Sequence, residues 1–210
     1  MTSDHSVFVL GGGDHARVVI DALLVSGVSP NGVIDPAHVV GSEILGIPVV
    51  SLETLFDQPV NHVSLVNGIG GRNDNSRRNE VFAEYNKRGF RFVGVTHPSA
   101  QIARDCQIHL SVQVMAGSVI QQQTNIEENS VINTACVIEH DCHIGESSFL
   151  GPRVVLGGRV RINASVFVGA GAVVLPGITL GASSTIGAGA VVTRDVPAGV
   201  TVVGNPTREI

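Results

Sequence analysis

Residues 132–162 read INTACVIEHDCHIGESSFLGPRVVLGGRVRI, and within them an aliphatic side chain returns at every sixth position: Ile132, Ile138, Ile144, Leu150, Leu156 and Ile162. The series continues in the same phase back through Ile126, Ile120, Val114 and Ile108 to Ile102, and forward through Val168, Val174, Leu180 and Ile186 to Val192. Four residues after each aliphatic stands something small or branched, such as Cys106, Ser118, Thr124, Cys136, Cys142, Ser148, Val160 and Ala172. A helix repeats its apolar face near 3.6 residues and a half-buried strand near 2, so neither accounts for this spacing. A hexapeptide β-helix does, with one short strand and one corner per hexad and three hexads per coil. The aliphatic residue then points into a narrow triangular core, and only small partners fit at the fourth following position.

The composition agrees with such a core. Of 210 residues 25 are glycine and only 4% aromatic, with no tryptophan, and small and β-branched residues dominate the second half. A net charge of −5 without any Lys/Arg run argues against nucleic acid as a partner. Val7-Phe8-Val9-Leu10 is too short an apolar run for a signal peptide or a membrane span, and a cytoplasmic protein is expected. Cys106, Cys136 and Cys142 make no CxxC pair and fall on the inward small position, so they read as packing residues rather than as disulfides, ligands or nucleophiles.

The first 95 residues have another character. Val7 to Leu10 reads as a buried strand ending in Gly11-Gly12-Gly13, and Ala16 to Leu24 as a helix closed by Gly27. Val33-Ile34-Asp35 and Val63 to Val66 suggest further strands, Arg77 to Lys87 another helix, and Phe90 to Val95 a last strand. This alternation implies a small parallel α/β unit. Thr96-His97-Pro98-Ser99 breaks the pattern and serves as the joint. The expected organisation is therefore an α/β domain, Rossmann-like, over 1–95 and an all-β parallel β-helix over 96–210. Gly11-Gly12-Gly13-Asp14-His15-Ala16 follows a strand and begins a helix, the setting in which backbone N–H groups hold phosphate. Asp35 follows at a spacing that also suits a dinucleotide fingerprint, but Ala16 breaks the strict glycine pattern and the unit is short for a complete dinucleotide domain.

His140 lies two residues after the inward Ile138, which turns it outward to where a substrate can reach it. Its neighbour Asp141 could fix the ring tautomer. His143 and His140 could also suggest a metal pair, yet the nearby sulfurs belong to the core and no metal is expected.

The hexad array, the glycine turn and Asn133-Thr134-Ala135-Cys136-Val137-Ile138-Glu139-His140-Asp141-Cys142 together resemble the bacterial sugar acetyltransferases, the group of the bacillosamine-pathway N-acetyltransferase and the sialic acid O-acetyltransferases. The resemblance runs from about Ser6 to Arg208. It implies a homotrimer of left-handed β-helices; the handedness rests on the likeness, since the period does not fix it. It also implies acetyl-CoA bound between subunits and a nucleotide-linked amino sugar reaching from the first domain, within surface glycan or O-antigen synthesis. Carried over residue by residue, His140 matches the general base and Asp141 its carboxylate, shorter here than the glutamate of some relatives. Gly158, stacked 18 residues beyond His140, matches the oxyanion donor. Ala170 and Ala188 match coenzyme contacts, while Phe149 stands where relatives place a second histidine near acetyl-CoA, so that contact is absent or different. Val203-Gly204-Asn205-Pro206 matches the closing turn near the coenzyme. Gly13, Asp14, His15, Asp35, Pro36 and Gly70 match contacts to the nucleotide part, and Asn133 a residue near the acceptor amine.

Other readings stand beside this one. His140 could serve an O-acetyltransferase equally well, since alcohols and amines both need proton removal. A non-catalytic β-helix would have no use for the His140-Asp141 pair. An NAD-dependent oxidoreductase would rest on the glycine turn alone and leave sixteen hexads unexplained.

Overall fold

The computed structural model describes residues 5–71 and 75–210. The chain separates into two compact units, one of the residues up to Gly70 with Ser76–Val95, the other of Thr96–Ile210 with Gly71 and Asn75.

The first unit contains β1 (Ser6–Leu10), α1 (Asp14–Val25), β2 (Gly32–Ile34), a hairpin of β3 (Glu43–Ile44) and β4 (Ile47–Pro48), α2 (Leu52–Phe56), β5 (Val63–Asn67), α3 (Ser76–Lys87) and β6 (Arg91–Phe92). Strands β2, β1, β5 and β6 lie in that order in one parallel sheet. Helix α1 buries Ala16, Val19, Ile20 and Leu23, spaced as one apolar helical face. A second cluster joins Phe8, Leu10 and Leu65 of the sheet to Val81 and Phe82 of α3. The chain leaves β1 toward β2 on one side and the sheet continues to β5 on the other, so the carboxyl ends of β1, β2 and β5 surround a topological switch point.

The second unit is a parallel β-helix whose two-residue strands pair with those one coil on, in strict register: Val119 with Val137, Ile120 with Ile138, Asn125 with His143, Val131 with Phe149. Three faces result. A valine face presents Val119, Val137, Val155, Val173 and Val191 outward; a polar face presents Gln107, Asn125, His143, Arg161 and Thr179; a third presents Gln113, Val131, Phe149, Phe167 and Thr185. The inward aliphatics from Ile120 to Val192 are all essentially inaccessible to solvent.

The corners obey the same period. Every sixth residue from Gly117 to Gly189 has a positive φ near 54–70° or slightly above, among them Gln123, Asn129, Ala135, Asp141, Ser147, Arg153 and Arg159. One left-handed residue per hexad turns each corner by the same amount, and its N–H is satisfied from the coil before, as where Asp141 donates to Gln122 O at 3.0 Å.

One expectation needs correction and one is extended. The segment 90–95 is not one strand, because only Arg91–Phe92 joins the first sheet. The stretch from Thr96 to Ser99 begins the second unit at the expected boundary and is also the first corner of the coil stack: His97 N–H donates to Val114 O and Gln101 N–H to Ser118 O, each at 2.8 Å. Threonine at the hexad position hides this corner from an aliphatic pattern. The small inward residues also do more than fill space. Ser118, Ser130, Cys136, Cys142 and Ser148 each donate to a carbonyl fifteen residues on, at 2.9–3.3 Å. Burial pushes the Cys136 and Cys142 thiols up to about 11, keeping them protonated donors.

Candidate active site

Two rows of corners flank the valine face. His140 and Gly158 stand on the corner that follows it, at equivalent positions two residues after Ile138 and Leu156, whose strands pair directly. Asn133, Ala170 and Ala188 stand on the corner that precedes it. Within one chain, therefore, the candidate base and oxyanion donor come together, while the other candidates line the opposite edge of the same face.

His140 Nδ1 lies 2.6 Å from Asp141 Oδ2, with both side chains a little under half exposed. The short aspartate reaches the ring because its own backbone makes the left-handed corner, φ 61°, a conformation that Asp and Asn tolerate better than most residues. With Nδ1–H donated to the carboxylate, Nε2 is left as the basic atom. Nε2 faces Gly158: a Cβ added there would stand 2.7 Å from it and 2.8 Å from Cε1. The absence of a side chain at Gly158 lets the ring take this place, since a Cβ would displace it. Among the described residues the Gly158 N–H donates to no protein acceptor, and neither do the equivalent groups of Ala170 and Ala188, both exposed. Such N–H groups can meet a developing oxyanion or the amide groups of an extended ligand.

Phe149 is placed differently. Its ring is 5% exposed, stacks on Phe167 with centroids 5.7 Å apart, and would collide with a Cβ on Gly71. Beside it Asn75 donates to Ser147 O and Val166 O. Packing against 71 and 75 thus occupies the aromatic ring. The Asn133 side-chain carbonyl accepts the Thr134 N–H at 2.8 Å and orients its own corner. His143 lies on the polar face, 3.4 Å from Glu127 and 3.2 Å from Asn125, turned to partners other than His140. Among the described residues no three His, Cys, Asp or Glu side chains are grouped to hold a metal ion.

The remaining candidates belong to the first unit. Gly13 stands at the N-cap of α1 and supplies no side-chain hydrogen bond to its first turn. Gly70 packs on His15, where a Cβ would come within 2.9 Å of the His15 Cβ. Asp35 and Pro36 line a cavity of about 580 Å³ together with Leu10, Ile34, Val81 and Tyr85. The Asp35 carboxylate accepts the Gly12 and Ala37 N–H groups. Burial raises its pKa, but those two bonds and nearby His38 outweigh this and hold the carboxyl below its ordinary value of 3.8. Asp35 therefore braces the glycine turn. Sequence reasoning missed His38 and Tyr85 in this cavity; Arg77, Val81 and Tyr85 recur at helical spacing on one face of α3, a signal available in the sequence.

The bacterial transferase hexapeptide (six repeats) family model matches residues 123–158 and 159–194. No curated protein sequence matches the chain. Among solved structures, a histidine-to-alanine mutant of GDP-perosamine N-acetyltransferase from Caulobacter crescentus, in complex with CoA and GDP-perosamine, is 35% identical over 98% of this chain and 96% of its own, with a TM-score of 0.90. The chain belongs to the sugar N-acetyltransferases of the left-handed β-helix superfamily. The acetyltransferase domain of PglB from Neisseria gonorrhoeae, in complex with acetyl coenzyme A, is 27% identical over 98% of this chain and 99% of its own, with a TM-score of 0.89. WeeI from Acinetobacter baumannii is 25% identical over 98% and 100%, with a TM-score of 0.88. Membership of this enzyme family makes the chain an acetyltransferase, and it sets the hand of the coils, which the period left open. Among the described residues no helix is long and apolar enough to cross a membrane.

The brace at Asp35 gives a pH signature. A carboxyl held below its ordinary value stabilises the fold above that value, and the contribution is lost as pH falls through the folded pKa. Asp35→Asn should cost about 1–2 kcal/mol at pH 7. The gap to wild type in urea unfolding should close below pH 4; a gap independent of pH would contradict an ionised brace.

Proposed function

We propose that this acetyltransferase transfers the acetyl group of acetyl-CoA to the amino group of a nucleotide-linked sugar, with His140 as general base. The observation that carries the reading is the corner at His140. There Asp141 orients the ring, Nε2 is left basic, and the adjacent Gly158 N–H is free of protein acceptors. Nitrogen over oxygen as acceptor is supported by the 35% identity to an N-acetyltransferase that holds CoA and GDP-perosamine. In the proposed reaction the amine nitrogen attacks the thioester carbonyl, His140 Nε2 takes the amine proton, and Gly158 donates to the charge developing on oxygen. The carbon–sulfur bond then breaks and the CoA thiolate leaves. Asp141 keeps its proton partner throughout and stabilises the imidazolium that forms. The nucleotide portion is assigned to the first unit, where the uncapped start of α1 can take phosphate and the cavity beside Asp35 and Pro36 can take the nucleoside. CoA is assigned to the N–H groups of Gly158, Ala170 and Ala188.

These assignments place ligand groups on both edges of the valine face. A chain that packs this face against a neighbour would bring its His140 corner to the neighbour's Ala170 and Ala188 corner. Five half-buried valines in a ladder are an apolar surface of the kind that is covered by association. We therefore read the active species as a homotrimer with sites shared between subunits.

His140→Ala should lower turnover by about 100-fold or more, the usual scale of a general base, while calorimetry shows both substrates still bound. Asp141→Asn, which the left-handed corner accommodates, should cost less and shift the basic requirement of the pH–rate profile. Unchanged turnover in His140→Ala would remove the base from the mechanism. Light scattering should give three times the 21.8 kDa chain mass. Val155→Arg should yield folded, inactive monomers; an active monomer would refute the shared site.

A further inference from the structure

Arg78 stands in the first turns of α3 and is 1% exposed, yet it belongs to none of the groups assigned above. Its Nη1 donates to two carbonyls of the segment leaving β5: Asn67 O at 3.1 Å and Ile69 O at 2.8 Å. The contact is reciprocal, because the Asn67 amide donates to Arg78 O at 3.1 Å and accepts the Ile69 N–H at 3.2 Å through its carbonyl. The chain at 67–69 thus leaves the sheet with its backbone groups met by two side chains instead of a regular turn. The segment is also held without slack on its other side. Gly68 N–H donates to Leu10 O at 2.8 Å, a Cβ on Gly68 would lie 2.8–2.9 Å from Val9, Ala16 and Leu10, and Gly70 abuts His15. The carbonyls Arg78 grips therefore set how closely Gly70 approaches His15 at the uncapped start of α1.

We propose that Arg78 is a positioning residue for nucleotide-sugar binding, fixing the 67–70 segment against the glycine turn so that the two present their backbone to the diphosphate together. The proposal rests on the assignment of the nucleotide to this unit. Burial of a guanidinium carries a large desolvation cost, and burial pushes this one down to about 9, which leaves it charged at neutral pH. Both bonds come from one buried nitrogen, and a lysine ammonium, compact and more strongly hydrated than a guanidinium, is a poorer group to hold in that position.

The test uses the full chain and calorimetry with GDP, UDP and dTDP, each alone, and with acetyl-CoA. For the diphosphate that wild type binds most tightly, Arg78→Lys and Asn67→Ala should each raise Kd by about tenfold, and the double variant should be no worse than the sum because both act on one segment. Acetyl-CoA affinity should stay within about twofold in every variant. Lower thermal stability with unchanged diphosphate affinity would overturn the proposal and make Arg78 only a structural residue, as would a parallel loss for both ligands. If wild type binds none of the three diphosphates, the assignment of this unit fails and the role of Arg78 falls with it. If Arg78→Lys does not fold, Asn67→Ala carries the same two outcomes.

Discussion

Hydrogen bonding between backbone groups one coil apart is the constraint on which the second unit depends. Val137 donates to Val154 O and Glu139 to Leu156 O, each coil handing its strand groups to the next at 2.9–3.0 Å. A single inserted residue would turn inward side chains outward on every strand beyond it; only the last coil departs, where Ile186 pairs with Val202, and its even change in length keeps inward side chains inward. The unbroken sixfold phase and the left-handed residue at each corner are two expressions of that requirement. Serine, threonine and cysteine at the inward small position add a third where they occur, linking corners from Ser118 to Ser148 to a carbonyl of the following coil.

The same rule explains why the proposed chemistry sits on corners. Strand residues spend their backbone groups on the ladder, and the left-handed residue spends its N–H on the previous coil. Two places after an aliphatic the N–H is outside that ladder, and among the described residues it donates to no protein acceptor at His140, Gly158, Ala170 and Ala188. Stacking puts His140 over Gly158 without any dedicated loop, and only the absence of a side chain at Gly158 lets the imidazole lie there. Specific chemistry thus needs very few departures from the repeat.

The phase of the hexads made the fold of the second unit legible, and counting two places from Ile138 and Leu156 was enough to pair His140 with Gly158. The division of candidates between two corners was equally present in that count, since Asn133 follows Ile132 while His140 follows Ile138. Other features were not legible for physical reasons. Thr96 occupies a hexad position without being aliphatic, so the first corner read only as a joint. Arg78 stands among polar neighbours in a helix of low hydrophobicity, and nothing local marks it as buried; its burial follows from carbonyls released eleven and nine residues earlier. His38 and Tyr85 line the cavity beside Asp35 from segments far apart in sequence, a juxtaposition that no local pattern encodes. Phe149 could be seen as a departure from the family, but that its ring packs on Phe167 and Gly71 depends on the segment folded over it.

The central claim is that this corner delivers acetyl groups to nitrogen on a nucleotide-linked sugar. It is tested most directly by incubating the protein with acetyl-CoA and a panel of GDP-, UDP- and dTDP-linked amino sugars, with their hydroxyl counterparts, and weighing the products by mass spectrometry before and after mild alkali. The account predicts one acetyl group added to an amino sugar and retained in alkali, as an amide is. Acetylation only of hydroxyl sugars, removed by alkali as an ester, or no transfer to any member of the panel while acetyl-CoA is bound, would contradict it.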